Sequence, residues 1–428
     1  MHVLKTVLKM FLGLLAGTIA GILLLMLAFR IPGEPIYTHV RDSAYVFEIE
    51  GLYPAMDNKV TKILDNWTDA LMLMQAFYEE EGAGTLDRSL NVYHPEYKNS
   101  DPVNTLLTYM SGRPAEYAAS YPRYWHGYLI WLKPLLAFTD YLGFRSINRV
   151  VQAAVLLAAA AALVMRGQKR IILPFLAAVC YLRPTVVAFS LQNSTVFYIT
   201  WIALIAAVLW NRKLRQGIRY LYYFMAVGMA VNYFDLLTYP IITLGIPMAM
   251  WLVMQSDVPF MGKIKAIVLY SASWAFGYFG MWIMKWTAAS LLLRKNVFKD
   301  ALMQAGTRLS GLAQGESFTR WDVIRKNVLA GFSGIWLLAI VLIAAVFLAC
   351  IWKYRRSLRR LAAHIVPYLL VCLMPLAWYA VLGNHSFIHV QFTYRALAVV
   401  VFAGLCMGVE AVGNVKLTKY RGLEWKKS

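Results

Sequence analysis

Charge is what this sequence has least of. Only 15% of its 428 residues are Asp, Glu, Lys or Arg, where soluble domains carry roughly 25%. Acidic residues are the scarcer sign, 22 against 42 basic ones, giving a formal charge of +20. Cysteine is nearly absent too. Cys180, Cys350, Cys372 and Cys406 all fall in apolar runs without Cys-x-x-Cys spacing, which excludes a disulfide framework and a cysteine zinc site. No internal repeat is legible, which disfavours a carrier built from duplicated halves. What abounds is hydrophobicity, at 60% of residues and a mean hydropathy of +0.54. Soluble, disordered and collagen-like chains are excluded, and a multi-span membrane protein is expected.

The basic residues recur as short clusters between apolar runs, as they do where Lys and Arg remain on the cytoplasmic side of a membrane. This placement argues against nucleic acid as a partner and for membrane lipids. Residues 9–29 form a first span, too long for a signal-peptide core. A polar segment follows, with 14 carboxylates and 8 Lys or Arg between residues 30 and 126. The apolar stretch 126–143 contains Lys133 and Pro134, and is read as an interfacial amphipathic helix. Nine further spans then fit within residues 146–412, starting at 146, 171, 194, 219, 237, 264, 332, 363 and 392. Both termini are expected in the cytoplasm, with 21 basic residues against two acidic ones in the inside segments. If 126–143 crossed, 19 of those 21 would move outside. The expectation is thus a single all-α polytopic domain of about ten spans. Residues 30–145 form a long extracytoplasmic loop bearing juxtamembrane helices, 285–331 a second large one, and 413–428 a basic cytoplasmic tail.

This topology puts the unusual polar motifs on the extracytoplasmic side. They are Asp65-Asn66-Trp67-Thr68-Asp69, Tyr124-Trp125-His126, Asn232 to Asp235, and Asn384 to Arg395 with His385 and His389. Asp57 reads as a helix N-cap. In the helix it would open, Asp65 and Asp69 share a face, although like charges at that spacing are unfavourable. Beside the apolar Leu71 to Met74, either carboxylate can gain the raised pKa of a general base; a solvated face or a second cap at Asp65 is the plainer alternative. Asp235 is either a site residue or a turn residue bonding loose backbone donors. Arg395 enters the last span, where a guanidinium marks a partner or substrate unless it snorkels to the headgroups. His385 and His389 have a metal-compatible spacing, but no His-Glu-x-x-His accompanies them. No metal site is assigned, and a divalent cation stays possible.

This layout resembles the GT-C superfamily of membrane glycosyltransferases, which includes protein O-mannosyltransferases and lipid A aminoarabinose transferases. The resemblance lies in the acidic Asp65 to Asp69, then Tyr121-Pro122-Arg123-Tyr124-Trp125-His126-Gly127-Tyr128 in place of a His-Pro-Pro-Leu-type interfacial helix. It continues in Phe144-Arg145-Ser146-Ile147-Asn148-Arg149 opening the next span. It covers roughly residues 1–210, and the motifs are most similar to membrane proteins of bacterial surface-polysaccharide clusters. His126 lacks the two prolines, and the two aspartates are separated by three residues rather than adjacent.

The resemblance implies a multi-pass enzyme of the bacterial cytoplasmic membrane with its active site outside. It implies a polyprenyl-phosphate-linked sugar donor and a glycan, lipid or protein acceptor, with transfer by inversion. Asp65 or Asp69 would act as base. Tyr124, His126, Asp235, His385, His389 and Arg395 would bind substrate or phosphate. Two other functions compete: a flippase or exporter of lipid-linked glycans, and a Wzy-like polymerase or ligase relying on later Arg and His residues.

Overall fold

Hydrocarbon offers no water to the backbone, so an apolar run of about 20 residues satisfies its amides internally, as a helix. The computed structural model, which describes residues 2–57, 59–255, 257–313 and 315–424, follows that rule almost throughout. Seven helical stretches are long and apolar enough to cross a membrane: Leu4–Ala28, Tyr141–Met165, Leu191–Leu209, Phe260–Leu293, Trp336–Tyr354, Leu358–Val381 and Val390–Ala411. The chain is a nearly all-α, multi-pass membrane protein.

Helix α1 (His2–Ala28) leads into a polar segment holding α2 (Gly33–Ser43), α3 (Tyr45–Glu50), α4 (Asn66–Phe77), α5 (Thr85–Asn91), α6 (Pro102–Met110) and α7 (Leu129–Leu136). A small antiparallel ladder there pairs Pro95 with Ala118. The bundle continues through α8 (Tyr141–Met165), α9 (Ile172–Tyr181), α10 (Pro184–Ala188), α11 (Leu191–Leu209), α12 (Asn211–Leu214), α13 (Arg219–Phe234), α14 (Ile242–Met254) and α15 (Phe260–Leu293). A second polar segment carries α16 (Val297–Leu309) and α17 (Arg320–Gly331). The chain closes with α18 (Trp336–Tyr354), α19 (Leu358–Val381), the short α20 (Gly383–Ile388) and α21 (Val390–Thr393), and α22 (Ala398–Glu424). Residues of the basic tail 413–428 lie outside the described side chains.

Helices occupy all ten expected span positions, but three are short. The helix expected over 171–189 breaks into α9 and α10 because Pro184 disfavours helical geometry in the residue before it, and Arg183 adopts φ 57°. The start of α14 is delayed to Ile242 by Pro240, and this helix is buried along nearly its whole length. Helix α13 has only 16 residues. Conversely, α15 runs to Leu293, nine residues into the loop expected from 285, and α8 starts five residues before 146. Helices α13 and α15 pack at backbone range: a Cβ on Gly228 would strike the Trp274 carbonyl, and one on Gly277 that of Met225. Small residues allow such approach where burial of oil in oil gives no drive.

The stretch 126–143 holds the eight-residue α7 and the first three residues of α8; α7 is about 12 Å long at 1.5 Å per residue, against about 30 Å of hydrocarbon. It does not cross. Its Lys133 is buried and donates to the Ala76 carbonyl (2.6 Å) at the C-terminal end of α4. Lys285 does the same for Leu90 (2.9 Å) at the end of α5. An ammonium group suits the negative end of a helix dipole, and these lysines fasten the polar segment to the bundle. Arg145 adds a bidentate clamp on Glu50 (2.6 and 2.8 Å).

Hydrogen bonds define two ends of the bundle. At one, Arg166 meets Leu209, Asn211 meets Tyr220 and Gln255, Arg215 meets Asp257, and Lys353 meets Ala411. At the other, Asp69 meets Tyr141 and Leu191, Tyr394 meets Thr61, Arg123 meets Asp300, and Arg308 meets His385. Both large polar segments therefore gather at one end, and the basic turns at the opposite one.

Candidate functional site

Helix α4 starts at Asn66 because the Asp65 carboxylate caps it, accepting from the Thr68 amide and hydroxyl (both 3.1 Å). The expected cap, Asp57, instead pairs with Lys62, eight residues before Asp65. A carboxylate offers about four lone-pair positions, so the cap leaves Asp65 with acceptor capacity to spare. That capacity faces a cavity of about 340 Å³ at the loop end of the bundle.

Asp65, Thr68, Tyr53, Arg308, His385 and His389 all line this cavity. Tyr121, Tyr124 and Gln192 complete its polar lining. Burial raises the Asp65 pKa to about 7, with the nearby Asp69 adding to the effect and the Thr68 bonds opposing it. Burial also lowers His389 to about 4 and His385 well below its ordinary value, helped in both by Arg308. Both imidazoles are neutral near pH 7. Arg308 Nη1 donates to His385 Nδ1 (2.9 Å), which fixes the Nε2–H tautomer. His385 and His389 lie ring against ring at 4.8 Å, and His389 stacks on Phe392 at 5.2 Å. Arg308 has no carboxylate within ion-pair distance among the described residues. Nor do three His, Cys, Asp or Glu side chains converge as a metal-ligand set among those residues.

Beside the polar cavity runs an apolar groove of about 200 Å³ between α15, α16 and α19. Phe279, Trp282, Trp286 and Trp378 wall it. Tyr124 and Arg308 line both spaces, so the two adjoin across these side chains.

No family model, curated protein or solved structure matches this chain. Its site therefore rests on its own geometry. Of the residues expected at the site, Asp65, Tyr124, His385 and His389 meet in the cavity, while Asp69, His126, Asp235 and Arg395 do not line it.

Each residue outside the cavity is held internally, Arg395 through two of its three guanidinium nitrogens. Asp69 accepts from Tyr141 Oη (2.7 Å) and from the first two amides of α11, Leu191 (2.8 Å) and Gln192 (3.0 Å). Those amides have no partner within their own helix, and an anion suits that end of the dipole. The two aspartates thus diverge: Asp65 turns to the cavity and Asp69 anchors α11. Asp235 closes a turn by accepting from the Thr238 amide (2.8 Å) and hydroxyl (2.6 Å). His126, at φ 56°, sits behind the wall and donates from Nε2 to the Tyr121 carbonyl (2.9 Å), positioning the cavity's Tyr121. Arg395 is fully buried and donates to the carbonyls of Leu182 (3.0 Å) and Gln391 (3.1 Å).

The Asp69 anchor has a measurable consequence. All three of its partners donate, and an asparagine amide would turn a donor toward one of them. Asp69→Asn is expected to cost about 2–4 kcal/mol, read as a lowered midpoint in thermal or detergent unfolding.

The residues missed from sequence are Arg308, Tyr53 and Gln192. Arg308 stands among eight basic residues between 285 and 326, and nothing local singles it out.

Proposed function

We propose that the protein is a membrane glycosyltransferase that moves a sugar from a polyprenyl-phosphate donor to a cell-surface glycan, lipid or protein acceptor. The reaction takes place on the extracytoplasmic face. The observation that carries this reading is the junction at Arg308: a polar cavity with a raised-pKa carboxylate on one side, an apolar aromatic groove on the other. A substrate joining a sugar, a phosphate and a long hydrocarbon chain matches both spaces at once.

In this reaction the acceptor hydroxyl attacks the anomeric carbon while Asp65 takes its proton. The bond from that carbon to the phosphate oxygen breaks, and polyprenyl phosphate leaves with the electron pair. Configuration inverts. Phosphate needs no general acid, but the negative charge it gains needs fixed donors. Arg308 offers a fork suited to phosphate oxygens, and His385 holds that fork in place through Nδ1. Tyr121, Tyr124 and Trp67 present aromatic faces to the sugar.

The test is product analysis after incubating purified protein with a panel of polyprenyl-phosphate sugars and surface-glycan acceptors. The reading expects one sugar to be transferred with release of polyprenyl phosphate. Movement of lipid-linked glycans across liposomes without covalent transfer would replace it with export. The groove makes its own prediction. Trp282→Ala combined with Trp286→Ala is expected to raise KM about tenfold for a long-chain donor. A short-chain analogue should be little affected.

A further inference from the structure

Behind the cavity, four side-chain groups are left without hydrogen-bond partners in one place. They are Arg183 Nε, Arg395 Nη2, Tyr181 Oη and Trp336 Nε1, each buried at the atom concerned. Ring and cation contacts link them. The Tyr181 ring lies 4.9 Å from Trp336 and 5.9 Å from Tyr394, Arg183 Cζ is 5.8 Å from the Trp336 ring, and Arg395 Cζ is 5.0 Å from Tyr394. Arg395 and Tyr181 are wholly buried. Neither arginine has a carboxylate within ion-pair distance among the described residues; the nearby Asp57 is taken by Lys62.

An unmade hydrogen bond to a buried donor costs about 1–3 kcal/mol, more where the donor is charged. Here the nitrogens can only donate, and the cluster carries two positive charges. Its complement is a compact group rich in acceptor oxygens and negative charge. Phosphate oxygens suit such charged donors: Arg395 has Nη2 to spare beside its two carbonyl bonds, and Arg183 has Nε beside its Nη2 contact with Thr61 Oγ1 (3.5 Å). One wall of the cluster, Trp336, opens α18, whose apolar stretch is only 6% buried inside the protein. Leu337, Leu338 and Val341 on that helix are more than half exposed, so the cluster borders the lipid-facing surface.

We propose that Arg183, Arg395, Tyr181 and Trp336 form a phosphate-binding site, separate from the cavity, that takes the phosphate headgroup of an anionic membrane lipid. The short helical segment Gln391 to Arg395 divides the two sites: Phe392 lines the cavity, and Arg395 belongs to the cluster. The inference does not depend on the transferase reading.

The test is native mass spectrometry of the full-length protein released from phosphatidylcholine nanodiscs with or without phosphatidylglycerol, with inorganic phosphate titrated as the free-anion arm. A one-to-one phosphatidylglycerol adduct is expected, weakened about tenfold or more by Arg183→Gln. Arg183→Lys keeps the charge without the Nε–H donor and should fall between. Arg308→Ala and Asp65→Asn should leave the adduct intact. A phosphate adduct in place of the lipid, lost in the same variants, would keep the site but make its ligand the free anion. The proposal is overturned by the absence of both adducts, by an adduct indifferent to Arg183→Gln and Arg395→Lys alike, or by one that Arg308→Ala removes.

Discussion

Asp65→Asn is expected to slow sugar transfer by about 10²–10⁴-fold, the usual range for removing a general base. Protein yield and unfolding midpoint should hardly change. The substitution is clean because Asn caps helices about as well as Asp, so the Thr68 amide keeps an acceptor and α4 keeps its start. What is lost is the ability to take a proton. Burial raises the Asp65 pKa to about 7, and a base works only when unprotonated. The wild-type kcat/KM should therefore fall as pH drops through about 7, and any residual activity of the asparagine variant should lack that limb. The cavity histidines do not share it, since lowered pKa values keep them neutral well below pH 7. Wild-type turnover by Asp65→Asn would remove the mechanism. A large loss in Asp69→Asn alone, with unchanged stability, would move the base to Asp69.

The contrast between these aspartates shows where sequence reading stops. Both stand in one short polar motif, four positions apart on one helix, and both are unusual beside an apolar run. The donors that neutralise Asp69 come from Tyr141, Leu191 and Gln192, more than 70 residues away, and no local pattern announces them. His126 and Asp235 were equally conspicuous and are equally occupied, by carbonyls and amides that the fold brings up, while Arg395 is held by two carbonyls with its Nη2 left over. A rare polar residue near a membrane can be a ligand or a fastener, and composition does not separate the two.

The fold was more legible because oil and water partition along the chain on the scale of a whole helix. The long helices stand where the apolar runs stand, and the eight-residue α7 fits its reading as a segment that does not cross. Deviations occur where one residue overrides the average. Pro184 breaks a run and Pro240 delays another. Lys285, which looked like the start of a loop, stays inside α15, where its ammonium donates to the Leu90 carbonyl. The eight basic residues between 285 and 326 showed that the second polar segment was electropositive. Only the packing of α16 against α20 shows which of them reaches the cavity.

That residue carries the second large effect. Arg308→Ala is expected to lower kcat by about 10²–10³-fold, as removal of one fixed donor to a developing anion does elsewhere. Arg308 lies half-buried on α16 and its only hydrogen-bond partner among the described residues is a neutral imidazole. No carboxylate therefore competes for its charge, and its removal leaves no buried anion unpaired. Folding should survive the change. If Arg308 holds the leaving phosphate, Arg308→Lys should recover only part of the loss, because an ammonium lacks the planar fork. The deficit should appear in kcat more than in KM, since negative charge grows on the phosphate as its bond to the sugar breaks. Arg395→Ala should behave oppositely. It abandons the carbonyls of Leu182 and Gln391, and its main effect should be a lower unfolding midpoint. Unimpaired turnover in Arg308→Ala, together with a stable but inactive Arg395→Ala, would shift the phosphate to Arg395 and favour the polymerase or ligase alternative.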